Sequence, residues 1–274
     1  MGENRIGVVT GLAQGMGREV ARRLAGRGWT LAGFDVDTAG IGSLRDELGD
    51  GHLLRVVDIC DHAAVRAFRD ETLGRFGHVD VVLSNVGVNC FAPFEEVDLT
   101  QALRCMEINV IGAAAVFQAF LPSMRSRRAG TLVAVTSMVG HVPFPFGSVY
   151  SASKFALEGL LQSMRYEVAP FGIQVALVRP AQVSTTFATK GRALPPEGSP
   201  YRERARRFVE RDDQLIQSAP TPAQAAAKIV AVVQAEHPRL GNQVDAMSTV
   251  FLWLNKLLPT RVRDAVLLRH LGIS

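Results

Sequence analysis

Short β-branched, apolar runs alternate with helix-patterned segments along this chain, and nearly every run stops at a polar residue or a glycine. That alternation is the signature of a parallel sheet covered by helices on both faces, because parallel strands need a long crossover and a helix usually supplies it. The runs that read as strands are residues 6–10, 30–34, 53–57, 79–84, 131–136 and 173–178, with a last one near 243–246. Several are almost continuously apolar, as strands buried on both faces should be. Helical patterns fill 17–27, 38–48, 63–76, 100–127, 150–170 and 222–235. The last of these has Thr221 as N-cap and Pro222 at its first position, and His237-Pro238 marks its stop.

No internal repeat or interdomain linker breaks the pattern, so residues 1–274 read as one α/β domain. Residues 181–218 are the one long irregular stretch, and an interruption of that length after a strand is usually a lid or insertion. The tail, about 249–274, is apolar and helix-like around a proline. It either packs over the cleft or a subunit contact, or lies on a membrane surface; Leu254, Leu257 and Leu258 need a partner and the basic face is thin, which favours packing.

Composition closes off several classes. At 47% apolar and 20% charged the chain can bury a large core. The net charge is +4, and the densest basic group is Arg202, Arg204, Arg206, Arg207 and Arg211. It has no interleaved aromatics, so a solvated helix face is expected and not a nucleic-acid site. The three cysteines have no paired spacing, and the six histidines are scattered, so free thiols and no metal site are expected. No signal peptide is visible and no apolar run approaches a membrane span, which leads to the expectation of a soluble cytoplasmic protein.

In an open parallel sheet, ligands bind beyond the carboxyl ends of the strands. Here those ends carry the chemistry. The first strand runs into Thr10-Gly11-Leu12-Ala13-Gln14-Gly15-Met16-Gly17. Between a strand and a helix, such glycines permit a tight turn and let a pyrophosphate approach backbone N–H groups at the helix N-terminus. Gly11, Gly15, Met16 and Gly17 are therefore candidate cofactor residues. The second strand ends at Asp35, the third at Asp58, the fourth at Asn85-Val86-Gly87, the fifth at Ser137 and the sixth at Pro180.

Asp35 lies eighteen residues past Gly17, near the offset for a carboxylate that accepts from ribose hydroxyls. Such a charge repels the extra phosphate of NADP, so NAD is the expected cofactor, with Arg18 the nearby cation that counts against it. Asp35 could instead cap the next helix, and Asp58 either caps a helix or contacts adenine. Asn109, polar within an apolar helical stretch, either makes a structural hydrogen bond or bends the helix and orders a water next to Lys154.

Tyr150 and Lys154 are four apart in a helical pattern, thus on one face, and Ser137 lies thirteen residues upstream of the tyrosine. A free phenol ionises near pH ~10. An ammonium about 5 Å away, at an effective dielectric of about 20, favours the phenolate by about 3 kcal/mol, which would bring it into the range useful for proton transfer.

Taken together, Thr10-Gly11-x-x-x-Gly15-x-Gly17, Asn85 with Gly87, Asn109, Ser137 and Tyr150-x-x-x-Lys154 resemble the short-chain dehydrogenase/reductase family over about residues 5–190. The resemblance implies one doubly wound Rossmann domain around a seven-stranded parallel sheet. It implies Tyr150 as acid/base, Ser137 as hydrogen-bond partner of the reacting oxygen, Lys154 as the group that lowers the tyrosine pKa and binds the nicotinamide ribose, and Asn109 as anchor of a proton-relay water. Val183 and Thr185, after Pro180, match the segment that holds the nicotinamide carboxamide. The chain departs from the family with Val86 where alanine is usual and Ala181 where glycine is usual. Lys154-Phe155-Ala156-Leu157-Glu158-Gly159-Leu160 is similar to the hydroxysteroid and retinol dehydrogenase branch, and the helices at 100–127 and 150–170 are the family's usual contacts in a dimer or tetramer.

Ser137, Val139, His141, Phe144, Tyr150 and Phe187 are the expected substrate residues, with Val142, Phe146 and residues 88–91 near them. The set is mostly apolar, so a large apolar alcohol or ketone is expected: a steroid, a retinoid-like alcohol or a lipid ketone. His141 is expected at the rim, not as a catalyst. The rival functions are epimerase or dehydratase chemistry on the same scaffold, and a nucleotide-binding sensor, whose mark would be a broken tetrad.

Overall fold

The computed structural model describes residues 5–190 and 192–273; the extreme ends of the domain expected over 1–274, and residue 191 of the expected lid, lie outside the described residues. Seven strands form one sheet: β1 (Ile6–Thr10), β2 (Thr30–Asp35), β3 (Leu53–Val56), β4 (Val81–Ser84), β5 (Gly130–Val135), β6 (Ile173–Arg179) and β7 (Gly241–Gln243). Their order is β3-β2-β1-β4-β5-β6-β7, and every pairing is parallel. The order turns back between β1 and β4, which makes their carboxyl ends the switch point where a crevice opens.

Helices cover both faces of the sheet. On one lie α1 (Gly15–Ala25), α2 (Thr38–Leu48) and, from late in the chain, Pro222–Gln234. They bury Val20, Leu24, Ile41, Leu44, Ile229 and Val230 against Val9, Leu31, Val81 and Val133. On the other lie α3 (His62–Phe76), α4 (Leu99–Met106) with its continuation α5 (Ala113–Arg127), and α6 (Ser148–Val168). There Phe68, Phe117, Phe120, Leu157 and Leu161 pack against Val8, Phe34, Val82 and Leu132. The strands are buried on both faces, which is why they read as unbroken apolar runs.

The long helix expected over 100–127 begins at Leu99, after Asp98 caps it, and passes through a π-helical turn at Glu107–Gly112 that contains Asn109. Residues Leu99–Arg127 are long and apolar enough to cross a membrane, contrary to the expectation that no run approaches that length. Half of its most apolar window is buried in the fold, where Val116, Phe117, Phe120 and Met124 pack against the sheet, while Leu99, Leu103 and Ile111 stay exposed. The strand expected near 243–246 is displaced to Gly241–Gln243, because the Asp245 carboxylate accepts from Ser248 N and starts the next helix.

After β6 come α7 (Thr186–Thr189), α8 (Arg202–Gln217), α9 (Pro222–Gln234), α10 (Ala246–Leu257) and α11 (Thr260–His270). The capping box at Thr221 and Gln224 starts α9. The tail folds back: Phe251, Leu267, Leu271 and Ile273 join Phe208 of α8 and Met138 and Val142 beyond β5 in a third apolar cluster. Trp253 and Leu257 stay 60% and 70% exposed, so Leu257 lacks the partner its sequence context called for. Two of the arginines of α8 serve this packing, and Arg206 stays on the solvated face. Arg204 donates to Ile273 O, Arg211 to His270 O, and Arg206 pairs with Glu203 and Glu210.

Candidate functional site

The carboxyl ends of β1, β4, β5 and β6 surround one cavity of about 590 Å³. Its floor at β1 is the glycine turn. Gly11 and Gly15 have φ of +71° and +57°, and a Cβ on Gly11 would fall 3.0–3.2 Å from Asn85 and Val86. Gly17 does not line the cavity. A Cβ there would fall 2.0 Å from the Gly11 carbonyl oxygen, so this glycine lets α1 close against the turn and works from behind the wall. Asn85 staples β4 to that turn, donating from Nδ2 to Gly11 O at 3.0 Å and from its backbone N–H to Thr10 Oγ1 at 3.1 Å. Helix α1 starts at Gly15 with no side-chain cap and no acidic residue in its first turn, so its N–H groups are left for an anion.

Asp35 stands at the cavity edge with its carboxylate fixed by Ala13 N–H and Asp37 N–H, each at 3.1 Å. It is not the cap of α2; Asp37 is, accepting from Gly40 N. Asp58 is likewise not a cap. Asp61 starts α3, while Asp58 accepts from Cys60 N and pairs with Arg104 at 2.8 Å on the cavity wall. Arg18 is turned away from the cavity: its guanidinium bonds Ala13 O, Gly40 O, Ser43 and Glu47.

The β5 end and α6 bring Ser137, Tyr150 and Lys154 to the same cavity. Ser137 Oγ is 3.3 Å from Pro180 O and from Val139 N. Lys154 is buried, with Nζ 5.7 Å from the centroid of the Tyr150 ring, and donates to Val135 O at 3.1 Å. Here the structure departs from the expected coupling. Burial pushes the Tyr150 phenol above its ordinary range, with a hydrogen bond from Ser137 acting in the other direction. Burial also lowers the Lys154 ammonium to about 8. The ammonium is directed at a backbone carbonyl, and loss of water costs the phenolate more than its neighbours return.

Asn109, fully buried in the π turn, spends its amide on protein. Nδ2 donates to Val88 O and Ser153 Oγ at 2.9 Å each, and Oδ1 accepts from Val88 N at 2.8 Å. It clamps the segment after β4 to α6. A Cβ on Gly87 would lie 3.4 Å from Asn109 Oδ1 and 3.5 Å from Lys154 Nζ; Gly87 and Lys154 line the cavity, while Asn109, expected among the catalytic residues, lies behind the wall.

Gly11, Gly15, Met16, Asp35, Asp58, Asn85, Gly87, Pro180, Val183 and Thr185 all line the cavity, as do Val139, Phe144 and Phe187. The Phe187 ring lies 6.0 Å from that of Tyr150. His141, expected among the substrate residues, does not line it. It follows the turn Met138–Gly140 and turns back toward α6, its Nε2 3.2 Å from the Glu158 carboxylate. Val142 and Phe146 are also off the wall, packed into the cluster with Phe208 and the tail.

Sequence reasoning missed the far wall. Phe208, Asp212 and Ile216 line it at four-residue spacing on α8, a single face that periodicity alone marks. Arg192 pairs there with Asp212 and Asp213, and Gln182 donates to Asp212. Burial raises the pKa of Asp212, against the Arg192 charge. Among the described residues no cluster of His, Cys, Asp and Glu is placed to hold a metal ion.

Residues 5–194 match the family described as short chain dehydrogenase. A mouse protein, dehydrogenase/reductase SDR family member 7B, is 34% identical over 72% of this chain and 63% of its own length, so the chain spans less than two thirds of that relative. Mouse 17-beta-hydroxysteroid dehydrogenase type 1 is 30% identical over 85% of this chain and 71% of its own. A short chain dehydrogenase/reductase from Burkholderia phymatum, solved in complex with NAD, superposes with a TM-score of 0.80 at 26% identity, over 96% of this chain and 95% of that one.

Proposed function

The chain belongs to the short-chain dehydrogenase family, and from that premise we propose that it is an oxidoreductase moving hydride between NAD and a large apolar secondary alcohol or its ketone. The observation that carries the reading is that Ser137, Tyr150 and Lys154 face the same cavity as the Gly11–Gly15 cradle and Asp35. The cradle fits a dinucleotide: it is open where a Cβ would fill it, and a helix N-terminus without acidic side chains points at it.

Backbone N–H groups of the glycine turn would hold the pyrophosphate, and Asp35 the adenosine ribose hydroxyls. Lys154 would bind the nicotinamide ribose, and Pro180, Val183 and Thr185 the carboxamide side. When bound, oxidised NAD would supply the hydride acceptor and a positive charge in the cavity. In oxidation, the alcohol loses hydride from its carbinol carbon and its hydroxyl proton to the Tyr150 phenolate, leaving a ketone; reduction reverses both transfers. Ser137 holds the reacting oxygen within reach of Tyr150. The side-chain amide of Asn109 is committed to Val88 and Ser153, so a relay water at this position would rest mainly on main-chain groups.

NAD is preferred over NADP. Asp35 supports this, since its carboxylate is locked at the cavity edge while Arg18 is tied to Glu47 and cannot meet a 2′-phosphate without breaking those bonds. An apolar substrate is supported by Val139, Phe144, Phe187, Phe208 and Ile216 on the wall. A homodimer or homotetramer is supported by exposed apolar residues on the two long helices: Leu99, Leu103 and Ile111, then Phe155 and Tyr166. Three free thiols fit a reducing compartment such as the cytoplasm.

The test is a panel of steroid, retinoid and aliphatic secondary alcohols with NAD and with NADP, read at the absorbance of reduced nicotinamide. Net reduction with an apolar member, faster with NAD, is expected. Product without net reduction would turn the reading to epimerase-type chemistry.

A further inference from the structure

The helix that carries Tyr150 and Lys154 takes one more charged residue into the core. Tyr150, Lys154 and Glu158 recur every four residues on α6 and share a face. Glu158 is buried, and its carboxylate is satisfied by separate parts of the framework around the cavity. Arg179, at the end of β6, donates to both oxygens at 2.8 Å. Thr136, immediately before Ser137, donates to Oε1 at 2.8 Å, and Gln162 donates to Oε2 at 3.1 Å. His141 Nε2 lies 3.2 Å from Oε2, within ion-pair range but outside hydrogen-bond geometry.

Successive residues at the β5 end are thus tied to successive turns of α6: Val135 O to Lys154, and the Thr136 hydroxyl to Glu158. Ser137 follows directly and meets Pro180, the residue after Arg179. A buried ion pair contributes little net stability compared with an apolar pair of the same volume, so packing alone does not call for one here.

We infer that Glu158 is a positioning residue for the reaction: by fastening Thr136 and Arg179 to α6, it fixes the spacing between Ser137 on the sheet and Tyr150 on the helix, and its charge supports that of Lys154. The proposal rests on the dehydrogenase reading of the site. Burial drives the Glu158 carboxyl up, but its contacts with His141, Arg179 and Thr136 outweigh burial and hold it at about 2, so it is charged at neutral pH. Lys154 is lowered by burial, with the Glu158 carboxylate opposing; the Cys105 thiol, raised to about 11 by burial, is neutral where Lys154 titrates.

Glu158→Gln keeps the shape and removes the charge. Because a misplacement of about 1 Å can cost roughly 100-fold, kcat for the alcohol is expected to fall about 10- to 100-fold. Its KM should change less than about 3-fold, the split of a lost transition-state alignment. The pH at which NADH binding weakens, which follows Lys154, should move down by about half a unit or more. Glu158→Gln strands the Arg179 charge, so Glu158→Met/Arg179→Met is the second variant. It should recover the melting temperature of the wild type and keep the low kcat. Wild-type kcat and an unmoved NADH profile in Glu158→Gln, or full recovery of kcat along with stability in the double variant, would overturn the proposal. If the wild type oxidises no alcohol, the dehydrogenase reading fails, and the NADH profile still decides the role of Glu158.

Discussion

Lys154 Nζ stands 5.7 Å from the centre of the Tyr150 ring but gives its hydrogen bond to the Val135 carbonyl, 3.1 Å away. The two side chains do not bond each other, and in the phenol burial outweighs the opposing hydrogen bond from Ser137. A phenol raised above its ordinary value releases its proton only at higher pH, so under the dehydrogenase reading the positive charge of oxidised NAD would help to form the phenolate. The tyrosinate absorbance of wild type minus Tyr150→Phe should therefore show Tyr150 ionising at lower pH with oxidised NAD than without it. Tyr150→Phe itself should lose about 10²- to 10⁴-fold in turnover, the usual worth of a general acid/base, with NAD affinity kept within a few-fold. Substantial turnover in that variant would remove Tyr150 from its role.

The same burial makes Lys154 a cost to the folded protein. Its folded value of about 8 lies below the ordinary 10.5, so the unfolded chain binds this proton more tightly. The penalty is fully present below about pH 8 and is relieved as pH rises toward 10.5, worth on the order of 3 kcal/mol at neutral pH. Lys154→Met should abolish turnover while raising the melting temperature of the cofactor-free protein by a few degrees. The gap between the two proteins should narrow across that alkaline window. A variant less stable than wild type at pH 7 would show that the bond to Val135 outweighs the burial.

How far these features were legible varies with their physical origin. Strand ends, the glycine turn and the tyrosine–lysine face follow local periodicity, and each appears at the cavity edge. Asp35 and Asp58 each allow a capping reading in sequence, and the fold gives those caps to Asp37 and Asp61. His141 leaves a turn, where no periodicity orients a side chain, and its ring lies against Glu158 instead of the substrate side. Glu158 carries no local signal, because its partners Thr136 and Arg179 are distant in sequence and meet only when β5 and β6 pair. Periodicity marks one face of α8, but only the folding back of the lid turns that face, with Phe208, Asp212 and Ile216, to the cavity.

Asp35 makes cofactor choice testable at one position. Its charge faces the cavity while its two oxygens are oriented by the Ala13 and Asp37 N–H groups. Asp35→Asn keeps an acceptor for the turn and removes the repulsion of a 2′-phosphate, which at a few ångströms and an effective dielectric of about 20 is worth a few kcal/mol at most. The ratio of kcat/KM for NAD over NADP should fall by about 10-fold or more, mostly through better use of NADP. An unchanged ratio would place the discrimination elsewhere, with Arg104 at the Asp58 end of the cavity the next position to vary.

Two glycines of this chain should respond to alanine with opposite signs. A Cβ on Gly17 would lie 2.0 Å from the Gly11 carbonyl oxygen, and no rotamer change can relieve a clash with backbone. Gly17→Ala must push α1 away from the glycine turn, costing on the order of 1–3 kcal/mol as overpacking does and loosening the phosphate cradle as well. Gly159 sits exposed within α6, and a Cβ there meets nothing within 4 Å. Gly159→Ala should stabilise by about 0.5–1 kcal/mol, because alanine loses less backbone freedom in a helix. Denaturant midpoints measure both effects, and NAD affinity should fall only for Gly17→Ala. A Gly17→Ala protein with wild-type midpoint and affinity would mean that α1 has slack at its first turn, and the cradle would then owe its shape to Gly11 and Gly15 alone.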